Sequence, residues 1–200
     1  DLLQDLEGVL MKPAPAFAVI IESETMDRET GDADFEAFLA RMFDENILAD
    51  ALVAQSSRES ARFWAVREGD KIYEAMPHLI NLDISISLNQ MERFVTECKQ
   101  AITARFRNVR ALFYGHAGDG NLHIALDIPD SGDSRLIHEV ETCIYDKVRE
   151  MRGSISAEHG IGTLKRDYLS YSRSPSEIAL MQQIKQALDP SGIMNPGKVL

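Results

Sequence analysis

Residues 114–124 (YGHAGDGNLHI) form the first of two short segments whose side chains are suited to chemistry. This segment holds His116 and His123, seven positions apart. On a straight strand an odd separation places two side chains on opposite faces, so both imidazoles can meet one ligand only if the chain turns back between them. The intervening AGDGN has the residue types of a tight turn. Two interpretations stay open: a glycine-rich hairpin with two incidental histidines, or part of a ligand site.

Residues 154–165 (SISAEHGIGTLK) form the second segment and place Glu158 beside His159 among small residues. Two histidines and one carboxylate are a common open coordination set for a divalent metal, so Glu158 can complete a site begun by His116 and His123. His159 would then stand beside the metal as a general base, because an imidazole titrates near neutral pH. The alternative is that this segment is only a surface loop.

Two further positions are weaker candidates. Arg67, in FWAVREG, could bind a substrate carboxylate through both arms of its guanidinium. An exposed arginine beside Glu68 on a helix explains the same pattern. In the tail NPGKVL, Asn195 and Lys198 are polar groups next to a Pro-Gly pair, which indicates a structured terminus.

Length and composition predict one globular domain. The chain has 200 residues, of which 44% are hydrophobic and 26% charged, and it has no apolar run of the roughly 20 residues that span a bilayer. The balance of 21 basic and 32 acidic residues gives a net charge of −11, which disfavours nucleic acid as a partner. Cys98 and Cys143 are expected to be free thiols buried on helices, in a reducing, cytoplasmic setting. Because the chain does not begin with Met, we expect it to be part of a longer protein.

The elements that must position these residues follow from hydrophobic periodicity. Residues 49–54 fit either a strand or the end of the preceding helix. The alternation of strands and helices, with one adjacent strand pair, favours an α+β fold in which helices pack on a mainly antiparallel sheet. Strands are predicted at residues 16–22, 82–88, 109–114 and 122–128, and helices at residues 34–48, 56–75, 89–106, 136–148 and 174–188.

Taken together, WAVREG, LDISISL, GHAGDGNLH, EHGIGTLK and DPSGIMNPGKVL resemble the carboxy-terminal domain of FAD-linked oxidases of the vanillyl-alcohol oxidase type. Within that family, the chain resembles the branch that contains D-lactate, glycolate and D-2-hydroxyglutarate dehydrogenases. The resemblance covers nearly the whole chain and implies a ferredoxin-like antiparallel sheet with helices on one face. It also implies that residues 1–200 are a substrate- and metal-binding domain, and that the FAD-binding domain precedes it and is absent from this chain.

The resemblance further implies the reaction and the site. The enzyme would oxidise a D-2-hydroxy acid to the 2-oxo acid with hydride transfer to FAD and pass the electrons to an acceptor, and this fragment alone would be inactive. The implied roles are metal ligands at His116, His123 and Glu158, with zinc as the expected ion, base at His159, substrate-carboxylate binding at Arg67 and a flavin contact at Asn195.

Some positions depart from the family pattern. Dicarboxylate-specific members have polar residues just beyond the second metal histidine, where this chain has Ala125. They also have polar residues just before the DxSxS strand, where this chain has Asn81 and Leu82. In addition, Lys71 lies four residues after Arg67. The resemblance therefore does not select D-2-hydroxyglutarate as the substrate. The alternative function is a non-catalytic ferredoxin-like docking or assembly domain, with the histidines as relics. Both interpretations leave the oligomeric state open.

Overall fold

The computed structural model describes residues 17–69, 72–129 and 132–200. The chain divides into two compact units between Ala75 and Met76. The described part of the first unit contains α1 (Arg28–Asp44), α2 (Ser57–Glu68) and α3 (Ile72–Ala75). The second contains β1 (Leu79–Ser85), α4 (Met91–Arg105), β2 (Arg110–His116), β3 (Asn121–Asp127), α5 (Ser134–Glu150) and α6 (Pro175–Leu188), with 3-10 turns at Leu88–Gln90 and Arg166–Tyr171.

The sheet of the second unit is antiparallel, with strand order β1–β3–β2. Helix α4 connects β1 to β2, and β3 lies between those two strands. After α5 the chain returns to β1, where Ser154 makes a single antiparallel bridge to Ser85. The chain thus forms two β-α-β units, each with a strand of the other unit between its own two strands, which is the ferredoxin-like topology. The last strand of that topology is reduced here to the single bridge at Ser154. The predicted α+β class with a mainly antiparallel sheet is confirmed.

One face of the sheet is apolar and carries the helices. The alternation in residues 82–86 buries Leu82, Ile84 and Ile86, as predicted. They pack with apolar residues of β3, α4 and α5, namely Leu122, Ile124, Leu126, Phe94, Cys98, Ile102, Val140, Ile144 and Val148. Because α4 and α5 pack on this face, the polar residues that alternate with the core residues along β1 and β3 lie on the opposite face.

Both cysteines are free and buried, as predicted. Burial raises the pKa of the Cys98 thiol to about 12, with a further contribution from Cys143. The Cys98 thiol is therefore protonated and unreactive at neutral pH, and it acts as a small apolar core residue.

Two predictions in the first unit are wrong: the strand at residues 16–22 and the choice of strand or helix end for residues 49–54. Residues 17–22 form no strand, and residue 16 lies outside the described residues. A strand needs a neighbour to satisfy its backbone, and the described part of this unit contains none, so Phe17 and Val19 stay exposed. Residues 49–54 are neither strand nor helix, because α1 ends at Asp44 and Asn46 takes a left-handed φ of 56°.

The long helix predicted over residues 56–75 is divided into α2 and α3. Gly69 ends α2 with a left-handed φ of 72° and donates its backbone N–H to Ala65 O. The other predicted helices and strands are present, with ends shifted by a few residues. Within the described ranges, no helix is both long and apolar enough to span a bilayer.

Candidate metal centre

The two histidines of GHAGDGNLH lie on the same face of the sheet. His116 ends β2, and His123 lies on β3 directly opposite Tyr114. Because Tyr114 and His116 are two residues apart on one strand, their side chains share the face on which His123 lies. The centroids of the two imidazole rings are 5.5 Å apart. The predicted reversal of the chain between the histidines is confirmed, and the hairpin turn occupies residues 117–120.

Two local features hold this turn. Gly120 has a φ of +77°, and a Cβ at this position would collide with the carbonyl oxygen of Ile86. Asn121 donates its backbone N–H to the Asp119 carboxylate over 2.9 Å. Backbone geometry therefore requires the glycine, and the aspartate stabilises the turn that brings the second histidine back to the first.

The loop after Ser154 delivers the other two predicted residues to the same face. Glu158 Oε1 lies 3.9 Å from His116 Nε2, and Glu158 Oε2 lies 3.9 Å from His123 Nε2. One ligand atom from each of these three residues lies within 4.8 Å of the others. The His159 ring stacks near His123, with 6.1 Å between centroids. The four residues predicted from the two segments therefore come together.

The chemistry of this donor set fits a divalent metal. Bonds of about 2.1 Å from a tetrahedral ion to nitrogen and oxygen would place ligand atoms about 3.4 Å apart, slightly closer than the distances seen here. The His116 and Glu158 side chains are about half exposed, at 47% and 54%. The exposed side of the cluster leaves room for further oxygen ligands.

A second set of potential ligands overlaps the first. Asp83, His123 and His159 also offer ligand atoms within 4.8 Å of one another. However, His123 directs Nε2 toward Glu158 and Nδ1 toward Asp83 Oδ1, at 3.6 Å. A metal-binding histidine commonly directs its other ring nitrogen at a carboxylate, so this arrangement favours Glu158 as the ligand and Asp83 as the orienting group.

Asp83 is the important residue that sequence reasoning missed. It is completely buried, between Leu82 and Ile84 on β1. Burial acts to raise the pKa of Asp83, but backbone N–H donors from His159, Glu158 and Ala157 and the nearby His159 imidazole lower the pKa below its usual value. The sequence did contain an indication of its role: in LDISIS, the aspartate is the one charged residue among apolar residues and serines.

Arg67 and Asn195 lie elsewhere on the chain. Arg67 is in the last turn of α2, in the first unit, whereas the histidines belong to the second. Asn195 is exposed, with a left-handed φ of 47°. Four residues further on, Val199 donates its N–H to Gly162 O over 2.8 Å, so the tail runs beside the loop that carries Glu158. The substrate and flavin contacts of Arg67 and Asn195 stay predictions.

Comparison with known proteins gives consistent matches. The chain is 35% identical to the mitochondrial D-2-hydroxyglutarate dehydrogenase of Arabidopsis thaliana over 204 residues, which cover 100% of the chain and 35% of the plant protein. It is 34% identical to the D-2-hydroxyglutarate dehydrogenase of Stutzerimonas stutzeri (strain A1501) over 198 residues, or 94% of the chain and 42% of that protein. The chain thus spans less than half the length of these curated relatives.

The family match is as extensive as the matches to individual relatives. Residues 1–199 match the family described as FAD linked oxidases, C-terminal domain. The histidine hairpin and the Glu158 loop, which carry the candidate metal centre, both lie within the matched region. With a match over almost every residue, the chain belongs to the family of FAD linked oxidases, C-terminal domain.

Proposed function

We propose that this chain is the substrate- and metal-binding domain of an FAD-dependent D-2-hydroxy-acid dehydrogenase, with an FAD-binding domain preceding it in the full-length protein. The observation that carries the proposal is the convergence of His116, His123 and Glu158, with the His159 ring beside them. Family membership supports FAD as the cofactor, and relatives named D-2-hydroxyglutarate dehydrogenase support a 2-hydroxy acid as the substrate.

The metal, expected to be zinc, would be held by Nε2 of His116, Nε2 of His123 and the Glu158 carboxylate. When bound, it supplies Lewis-acid chemistry that lowers the pKa of a substrate hydroxyl. The chain's own contribution is to keep the two imidazoles and the carboxylate on one face of a rigid sheet. The half-exposed edges of His116 and Glu158 leave the substrate a route to this face.

His159 would act as the general base. It takes the proton of the substrate's 2-hydroxyl onto a ring nitrogen while the hydrogen on C2 leaves as hydride, which gives the 2-oxo acid. FAD, when bound, would supply the hydride acceptor for this oxidation, and the electrons would then pass to a separate acceptor. The chain carries a net charge of −11, so an anionic substrate needs local positive charge, which Arg67 would supply by binding its carboxylate. Asn195 would contact the flavin.

The choice of acid within this class depends on residues next to the metal ligands. Asn81 on β1 lies directly opposite Ala125 on β3. This pair is on the same face of the sheet as the pair formed by Asp83 and His123 and is its neighbour on that face. Neither Asn81 nor Ala125 can supply a positive charge to a second carboxylate. The relatives are named for a dicarboxylate, so D-lactate and D-2-hydroxyglutarate are both required as test substrates.

The proposal is tested by metal analysis and kinetics on the full-length protein with both acids. We expect His116→Ala to lose the metal and the activity together. We expect His159→Ala to keep the metal while kcat falls roughly 100- to 10,000-fold, the usual contribution of a general base. His78→Ala, which removes an exposed histidine of the same unit, is the matched control and should behave as wild type.

Three results would contradict parts of the proposal. Wild-type turnover in either His116→Ala or His159→Ala would exclude the assigned roles. Loss of metal in His159→Ala with retention in His116→Ala would assign the ion to the set containing Asp83 instead. A full-length protein that binds neither FAD nor metal would favour the docking or assembly domain.

A reducing, cytoplasmic setting completes the proposal. Its support is that Cys98 and Cys143 are both free and both buried, as is usual for proteins kept in a reducing compartment. Fractionation of cells that express the tagged full-length protein, followed by immunoblotting, tests this location. Recovery in an organelle fraction instead of the cytoplasm would contradict it.

A further inference from the structure

Asp83 makes an unusual set of contacts with the loop that follows Ser154. Its Oδ2 accepts backbone N–H groups from three consecutive residues: Ala157 at 3.0 Å, Glu158 at 2.7 Å and His159 at 2.8 Å. The Ser156 hydroxyl lies 3.5 Å from the same oxygen. Consecutive N–H groups that converge on one oxygen form an anion-binding nest, and here the anion is a side chain of the same protein.

These contacts determine where Glu158 and His159 lie. The two residues belong to an irregular segment, so no helix or strand ladder fixes their backbone. Lys165 fastens the same region from another direction, because its Nζ donates to the carbonyl oxygen of Asp83 at 3.2 Å and to that of Ile155 at 3.0 Å. Strand β1 thereby holds the loop through both the side chain and the backbone of Asp83.

The other carboxylate oxygen of Asp83 faces the metal centre. Oδ1 is buried, has no hydrogen-bond partner among the described residues, and lies 3.6 Å from His123 Nδ1. A proton on Nδ1 would face this oxygen and leave the lone pair of Nε2 directed toward Glu158, 3.9 Å away. This is the tautomer that a metal requires at Nε2.

We propose that Asp83 is a positioning residue that preforms the metal centre: one oxygen holds the backbone of Glu158 and His159, and the other orients His123. The inference rests on the proposed function for the identity of the site as a metal centre. It explains why a completely buried carboxylate occupies the middle of β1, where an apolar residue would avoid the cost of removing a charge from water.

The test uses the full-length protein with Asp83→Ala, Asp83→Asn and the matched control Asp127→Asn. Asp127 is also a buried aspartate on the same face of the sheet, but it lies at the far end of β3. Zn²⁺ affinity is measured by competition with a chromophoric chelator. Loss of an orienting group next to a ligand typically weakens metal binding about 10- to 100-fold, which we expect for Asp83→Ala, whereas Asp127→Asn should stay within about twofold of wild type.

Backbone hydrogen exchange in the metal-free protein gives a second readout. Peptides that cover residues 155–162 should exchange faster in Asp83→Ala than in Asp127→Asn, because only the first variant removes the acceptor of three N–H groups. Asp83→Asn keeps an acceptor oxygen and the side-chain size, so it should fold and still show weakened metal binding through the lost charge facing His123.

The possible failures are distinguishable. Equal Zn²⁺ affinity in Asp83→Asn and Asp127→Asn, or unchanged exchange of residues 155–162 in both Asp83 variants, would overturn the inference. If the wild-type protein binds no Zn²⁺, the proposed function fails and with it the metal part of the inference. The exchange experiment would still decide whether Asp83 holds the loop.

Discussion

His123 is the residue on which the candidate site depends most. It belongs to both groups of potential ligands, and its side chain is only 12% exposed. One ring nitrogen faces Asp83 and the other faces Glu158, so its environment distinguishes the two nitrogens before any ligand binds. A nearly buried imidazole held between two carboxylates is suited to binding a cation, because the burial excludes water and the charges favour positive species.

Arg67 carries the residue-scale prediction. Arg67→Ala in the full-length protein should raise KM for the 2-hydroxy acid roughly 10- to 100-fold, since a hydrogen bond to a charged group contributes about 1.5–3 kcal/mol. The metal content should not change. Steady-state kinetics checks this result, with Arg62→Ala as the control because it removes an exposed arginine from the same helix. An unchanged KM in Arg67→Ala would remove this residue from the substrate site.

At the scale of the elements, one carboxylate connects the three strands of the sheet, at the end opposite the hairpin turn. Asp127 ends β3 and accepts hydrogen bonds from Arg110, at the start of β2, through Nε at 3.0 Å and Nη2 at 2.5 Å. The backbone N–H of His78, which precedes β1, donates to the other oxygen at 3.0 Å. One carboxylate thus joins all three strands, as Asp83 joins β1 to the loop near the other end.

This arrangement predicts an acid-sensitive contribution to stability. Burial acts to raise the pKa of Asp127, but the hydrogen bonds from Arg110 and His78 lower it below its usual value. A carboxylate with a lowered pKa stabilises the fold fully above its unfolded pKa of about 3.9, and loses that effect as pH falls through the folded pKa. Asp127→Asn should therefore lower the urea midpoint at pH 7, and the difference from wild type should shrink below about pH 4.

The control for this measurement is Glu139→Gln, which removes a more exposed ion pair with Arg135 on α5. Such pairs contribute little to stability, so this variant should unfold like wild type at both pH values. A difference between Asp127→Asn and wild type that is constant from pH 7 to pH 3 would show that the charge of Asp127 is not what stabilises the strand ends.

At the scale of the whole molecule, the proposed function assigns this chain only part of the reaction. Under that proposal it supplies the metal ligands and the base, and a separate domain of the full-length protein binds FAD. The chain spans only 35% and 42% of the two relatives described above, so most of each relative lies outside the match. No glycine-rich phosphate loop of the expected kind occurs in this sequence. If the two roles are divided in this way, metal binding and turnover are separable properties.

The corresponding prediction compares the 200-residue chain with the full-length protein. The chain alone should bind Zn²⁺ through its own donor set but should not oxidise D-lactate or D-2-hydroxyglutarate, even with added FAD. Dye-reduction assays, metal analysis and circular dichroism of both proteins check this outcome. Turnover by the folded chain alone would contradict the proposed domain assignment.

Local patterns in the sequence determined most of the elements and the identities of the four clustered residues. The alternation in LDISIS and the helical stripes around Cys98 and Cys143 depend only on near neighbours, so the periodicity of burial could be recognised without a fold. The candidate ligands could be proposed because two histidines and a carboxylate are a common open coordination set for a divalent metal. The apolar run at residues 17–22 was misleading, since a strand also requires a partner.

Only the tertiary structure decided how those residues are arranged. Asp83 holds backbone groups 74, 75 and 76 positions away, and no local pattern contains that information. The assignment of Nδ1 of His123 to Asp83 and of Nε2 to Glu158 likewise depends on strand register and on the path of a distant loop. Hydrophobic periodicity acts between neighbours in the chain, whereas a metal centre is made by neighbours in space.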